Sequence, residues 1–148
     1  MREEQVTKAI LKHLTDRKWT IVAFDFPQSG TGKMLHPNKS VSEKNKGGII
    51  PDIAAVKNGV CLFFENKDRT VESDFHKLTE VRDGEAYKDA IAALLNGYDV
   101  KHIYYGVGLP SAKYGTKAQS LAALVDFVVG VTSDGSIEWL ANTPSIAI

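Results

Sequence analysis

Apolar positions recur at helical spacing near the start of the chain. Val6, Ala9, Ile10 and Leu14 fall on one stripe and Glu4 precedes Lys8 by four residues, which predicts an amphipathic helix over residues 2–18. The period then changes. WTIVAFDF over residues 19–26 reads as a strand, and two further apolar runs, IIPDIAAVK and VCLFFENK, are separated only by Asn58-Gly59. Asn-Gly is the strongest short hairpin cue, because both central residues of a type I′ turn need positive φ. Downstream, Phe75, Leu78 and Val81 mark a weak helical stripe over residues 71–82. Asp83 is placed to cap a better helix over 86–95, which Gly97 closes. VKHIYYGV over 100–107 is another strand, and PSAKYGTKA over 110–118 a loop at its end. Leu121 to Val125 continues a helix, 126–131 is a strand, and Asp134-Gly135 turns it back into 136–140. The order α-β-loop-β-β-α-β-α-β-β predicts an α/β fold, a mixed sheet with helices on its faces.

The hairpin carries the candidate chemistry. With residues 58 and 59 as its loop, Lys57 faces Val60, Val56 faces Cys61, Ala54 faces Phe63, and Asp52 lies opposite Glu65. Directly opposed residues share a face, with Cβ atoms roughly 5 Å apart. Lys67 is two residues beyond Glu65, so the strand's period of two keeps it on that face. Register alone builds an Asp/Glu/Lys cluster. Two carboxylates so close repel each other, and a shared proton, a cation or both must relieve them. Lys67 supplies part of that relief; a hard divalent cation such as Mg²⁺ would supply the rest through oxygen ligands. A surface cross-strand pair is the plainer alternative. The flanking residues Ile49, Ile50, Ile53, Leu62, Phe63 and Phe64 are so apolar that both strands are expected to be buried, where ionised groups need a reason.

PD followed by ExK on a hairpin, after an N-terminal helix, resembles the PD-(D/E)xK nuclease superfamily, the restriction-endonuclease-like fold. The signature covers Pro51 to Lys67, and the element order supports it over about residues 1–107. The resemblance implies a mixed sheet with the catalytic hairpin in its centre, Asp52 and Glu65 as metal ligands, and Lys67 as the lysine that positions or deprotonates the attacking water. The backbone carbonyl of Asn66 is expected to help hold the metal. In this superfamily an acid on the first helix often reaches the site, which makes Glu3 a catalytic candidate and Glu4 the second choice. The other reading is that both acids favour the positive end of the helix. The resemblance further implies Mg²⁺, with Mn²⁺ as a substitute, and products bearing 5′-phosphate and 3′-hydroxyl groups.

Composition adds limits. The 148 residues suit one domain over 1–148, with 43% apolar and 24% charged residues as in ordinary globular proteins. No apolar run approaches the ~20 residues of a membrane helix, and the N-terminus has no signal-peptide core, which predicts a cytoplasmic protein. One cysteine, Cys61, excludes an intramolecular disulfide and a cysteine zinc site. Net charge is zero, but residues 28–48 carry Lys33, Lys39, Lys44 and Lys46 against a single acid, Glu43. SGTGKM in this stretch fails as a phosphate loop: Pro27 replaces its first glycine and Met34 its Ser or Thr. A basic loop on nucleic-acid phosphates, or a solvated linker, remains. Arg69 and Lys113 are further candidate DNA contacts; His76 and Lys77 face either phosphates or solvent. Gly106-Val107-Gly108 lacks the later glycine of a dinucleotide fingerprint.

The expected function is a Mg²⁺-dependent endodeoxyribonuclease, favouring a type II restriction endonuclease or its cleavage subunit. A Holliday-junction resolvase or repair nuclease is the rival, and a non-catalytic DNA-binding or dimerisation module the alternative from another class. The expected partners are DNA and a second subunit, in a homodimer or heterodimer formed through Ile137, Trp139 and Leu140 or the apolar face of the 86–95 helix.

Overall fold

The computed structural model of the chain describes residues 1–25, 51–83 and 88–142. Its sheet is organised by the Asn-Gly turn. Asn58 (φ 51°) and Gly59 (φ 82°) both take the left-handed backbone that a two-residue hairpin turn demands. The turn pairs β2 (Ile53–Lys57) with β3 (Val60–Asn66) in the expected register: Lys57 with Val60, Val56 with Cys61, Ala54 with Phe63. On one side of this hairpin, β1 (Thr20–Phe24) runs antiparallel to β2. On the other, β4 (His102–Pro110) lies parallel to β3 and β5 (Phe127–Val131) parallel to β4. β6 (Ile137–Asn142) returns antiparallel to β5. The six strands lie in chain order, so the hairpin sits inside the sheet with β3 at its centre beside β4. This is the α/β class that the element order predicts, a mixed sheet flanked by helices.

Both faces of β3 are covered, which explains its unbroken apolar run. Leu62 and Phe64 point to one face, where Val6, Ile10 and Leu14 of α1 (Glu3–Asp16) pack on them together with Phe127 and Val129. Cys61 and Phe63 point to the other. There Phe75, Leu78 and Val81 of α2 (Glu72–Asp83) pack on Phe63, Tyr105, Val107 and Leu109. α3 (Lys88–Leu94) lies on that same face, with Ile91 and Leu94 against a cluster of Val22, Ala54, Val56, Cys61 and Leu95. The Cys61 thiol is buried, and burial pushes its pKa up to about 12.

Asp83 belongs to the preceding helix, and the start of the 86–95 helix it was placed to cap lies outside the described residues. Asp83 is the last residue of α2, bound by the Arg82 guanidinium at 3.0 Å, and Arg82 also reaches Asp126 at 3.0 Å. Two local expectations change. The 110–118 stretch is not a plain loop: β4 runs to Pro110, a 3₁₀ turn spans Ser111–Lys113, and α4 (Thr116–Leu121) follows. Fully buried Leu109 and Ala118 anchor both ends of this segment, a tertiary effect that the polar composition hides. The expected association surfaces are also partly used within the chain. Trp139 packs on Phe127 at a ring distance of 5.5 Å, and Ile137, Leu140 and Ile91 are half-buried against the core.

The two glycines of β4 serve packing. A Cβ on Gly106 would collide with the Phe127 ring, and one on Gly108 with Asn66 Oδ1 and Ile10 Cδ1. Gly108 thus lets α1 and the end of β3 approach β4. Gly108→Ala should lower unfolding free energy by about 1–3 kcal/mol, as overpacking in a dense core does. Urea denaturation followed by circular dichroism measures it; an unchanged midpoint would show that Asn66 and Ile10 yield freely.

Candidate active site

The candidate site lies where β2 begins and β3 ends. The Asp52 N–H donates to the Phe64 carbonyl at 3.1 Å, continuing the ladder one step past Ile53 and Phe64. That step puts Asp52 opposite Glu65, as the register requires. The Asp52 carbonyl accepts the Asp25 N–H at 3.0 Å, and the Lys67 N–H donates to the Gly108 carbonyl at 2.9 Å, so β1 and β4 clamp the two chain segments. The Asn66 N–H donates to Asp52 Oδ2 at 2.6 Å and fixes the carboxylate. The Asn66 side chain points to the opposite face and donates to Thr7 Oγ1 of α1 at 3.1 Å.

Asp52 is 4% exposed and Glu65 7%. Burial, and then the neighbouring Glu65 charge, push the Asp52 carboxyl up to about 8, against the lowering effect of the Asn66 N–H. Burial raises Glu65 too, opposed by the Lys77 ammonium. The two carboxyls thus raise each other's cost of ionising, beyond what burial alone imposes.

The cluster is larger than the hairpin. Glu3 reaches it: Lys67 Nζ lies 3.8 Å from Glu3 Oε1, while Glu4 turns away to Lys8 at 2.9 Å. Burial raises the Glu3 carboxyl, with Lys67 opposing. For Lys67, burial alone would lower the pKa, but Asp74, Glu3, Glu65 and Asp52 together raise it. From α2, Lys77 Nζ stands 3.4 Å from Glu65 Oε1. Asp74, one turn earlier, is 8% exposed, and its Oδ2 has no hydrogen-bond partner among the described residues. Sequence reasoning missed Asp74 and gave Lys77 no role beside Glu65. A signal existed: Asp74 stands four residues before Leu78, on the apolar stripe of α2, where a solvated acid does not belong.

The remaining candidates lie around or beyond this cluster. Exposed Arg69 pairs with Asp68 at 2.8 Å and acts electrostatically on Glu3 and Asp74. Lys113 is exposed in the 3₁₀ turn, and its carbonyl accepts the Thr70 hydroxyl at 2.9 Å, which ties that turn to the segment after β3. His76 pairs with Glu72 at 3.4 Å. Lys33, Lys39, Lys44 and Lys46 lie outside the described residues.

Among the described residues, no three His, Cys, Asp or Glu side chains are arranged to hold a metal ion between them. What the site offers is two carboxylates and the Asn66 carbonyl. This all-oxygen set fits a hard ion such as Mg²⁺, which keeps several waters and is commonly bound through one or two carboxylates. The cost of ionising two buried neighbouring carboxyls is the cost such an ion would relieve.

Comparison with protein-family models and with curated proteins finds no match. Among solved structures the chain is similar to a FdxN element excision controlling factor protein from Anabaena variabilis, at 17% identity and a TM-score of 0.42, over 92% of this chain and 98% of that one. That likeness is too distant to bear on function. Among the described residues no helix is long and apolar enough to cross a membrane.

The raised Asp52 carboxyl has a consequence for stability. A carboxyl whose folded pKa is about 8 and whose free value is 3.8 holds a proton in the native state that the unfolded chain has released. Metal-free stability should therefore fall as pH rises from about 4 to about 8, by at most roughly 1.4 kcal/mol per pH unit. Asp52→Asn should flatten this slope and raise Tm at pH 8. Thermal melts in a chelator between pH 5 and pH 8 measure both; the same slope in the variant would place the titrating group elsewhere.

Proposed function

We propose that this protein is a Mg²⁺-dependent endodeoxyribonuclease of the PD-(D/E)xK kind that hydrolyses phosphodiester bonds. The observation that carries the reading is the buried Asp52–Glu65 pair, fixed by the Asn66 N–H at 2.6 Å, with Lys67 at its edge. Buried, repelling carboxylates cost stability, and a site for a cation is the function that explains keeping them.

Asp52, Glu65 and the Asn66 carbonyl would hold Mg²⁺. When bound, the ion polarises a phosphodiester oxygen and lowers the pKa of a coordinated water. The chain's own groups do the rest. The Asn66 N–H holds Asp52 in one rotamer, so no reorganisation is needed when substrate arrives. Lys67 is kept as an ammonium by the acids around it, which suits it to orient the attacking water and offset charge developing on the phosphate rather than to accept a proton. Glu3 steers that ammonium from the first turn of α1. Arg69 and Lys113 stand at the same end of the sheet as candidate contacts to the DNA backbone.

Within nucleases the reading favours a type II restriction endonuclease or its cleavage subunit. The zero net charge and the four lysines of residues 28–48 support local rather than bulk attraction to DNA. A double-strand cut at a symmetric sequence calls for two such sites related by a two-fold axis, hence a homodimer or heterodimer.

The test is incubation with supercoiled plasmid and Mg²⁺, products mapped on gels. Discrete double-strand fragments are expected. Cleavage confined to four-way junctions would identify a resolvase instead, and DNA binding without any cleavage would indicate a non-catalytic module. Asp52→Ala and Glu65→Ala should each abolish cutting with the circular dichroism spectrum intact. Lys67→Ala should slow single-turnover cleavage by roughly 10²–10³-fold while DNA affinity in Ca²⁺ stays near wild type. Affinity lost in proportion to rate would reduce Lys67 to a phosphate contact.

A further inference from the structure

Glu65 is met by a lysine from a second element. Lys77 Nζ lies 3.4 Å from Glu65 Oε1, and its charge also acts on Asp74, three residues before it on α2. Asp74 is buried, and its unpartnered Oδ2 belongs to a carboxylate that senses Lys67, Lys77 and Arg69. Lys77 pairs with Glu65, and Asp74 stands one helical turn away with an unpartnered buried oxygen, so a divalent ion held by these two acids would compete for the same place. Lys77 is already there. Its side chain is 45% exposed, so it is attached from the solvent side and is not needed for packing.

We propose that the Lys77 ammonium fills the position a second divalent cation would take, between Glu65 and Asp74, so that the site accepts one metal ion. Charge balance agrees. Glu3, Asp52, Glu65 and Asp74, when ionised, face Lys67 and Lys77, which leaves two negative charges, and one divalent ion cancels them. Arg69 and Asp68 pair with each other and leave that balance unchanged. Replacing Lys77 with a neutral side chain leaves a third negative charge and an empty position between two acids. The inference rests on the metal-dependent reading above, and it decides between a one-ion and a two-ion mechanism.

The experiment counts Mn²⁺ bound to the full chain without DNA, by isothermal titration calorimetry and by the loss of the free-ion electron paramagnetic resonance signal at pH 8. One Mn²⁺ per chain is expected for wild type and for Lys77→Arg. Two are expected for Lys77→Met and for Lys77→Gln, and one again when either change is combined with Asp74→Asn. Circular dichroism checks that each variant is folded, and the two neutral substitutions guard against failure of one. Two Mn²⁺ in wild type, or one in both neutral variants, would overturn the assignment while leaving the metal-dependent reading in place. No Mn²⁺ in wild type would overturn both.

Discussion

The Asn66 N–H donating to Asp52 Oδ2 is the contact on which the rest of the site depends. A backbone donor at the end of β3 is used on a side chain of the facing segment, so the ladder between the two strands ends on a carboxylate. A charge-assisted bond of this kind is short and strong, and it gives back part of what burial takes away. The same residue reaches the other face of the sheet to Thr7, and its neighbour Lys67 bonds through the backbone to Gly108. One dipeptide therefore sets the distance between β2, β4 and α1. Carboxylate geometry and core packing cannot be altered independently there.

Around that contact the charges are crossed between elements. The lysine of the strand leans on an acid of α1, and the acid of the strand leans on a lysine of α2. Both helices bring their first turns to the cluster, through Glu3 and Asp74. Their positive ends add to the field that stabilises acids there. The apolar stripes of the two helices on opposite faces of the sheet hold these first turns in place. The core thus determines how far apart the charges stand, and the charges in turn oppose the close approach that the core enforces.

The hairpin was legible because its information is local. Asn58-Gly59 admits one turn geometry, and counting in twos from it places Asp52 against Glu65 without reference to anything distant. β4 and β5 were visible as apolar runs near residues 100–107 and 126–131, while their parallel pairing to β3 and to each other came from the structure. What came from α2 was not legible. Its stripe is weak, and nothing near Asp74 in the chain says that Lys67 or Glu65 will face it; that meeting depends on how α2 lies across β4. Glu3 is intermediate. Its place on the first helix made it a candidate, but an acid in a first turn has a sufficient local reason to be there. The segment from Pro110 to Leu121 was misjudged because buried Leu109 and Ala118 stabilise a strand end and a helix that small and polar residues do not announce.

Cys61 gives the molecule a reporter of its own opening. The lone thiol sits on β3, four residues before Glu65, and is shut away between the sheet and α3. With its pKa near 12, almost none of it is thiolate at neutral pH, and the thiolate is the form that reacts. Alkylation of the native chain must wait for β3 to leave its neighbours. Its rate then measures how often the strand bearing the acids is exposed, and any ion or nucleic acid that tightens the cluster would slow the chemistry at a sulfur it never touches.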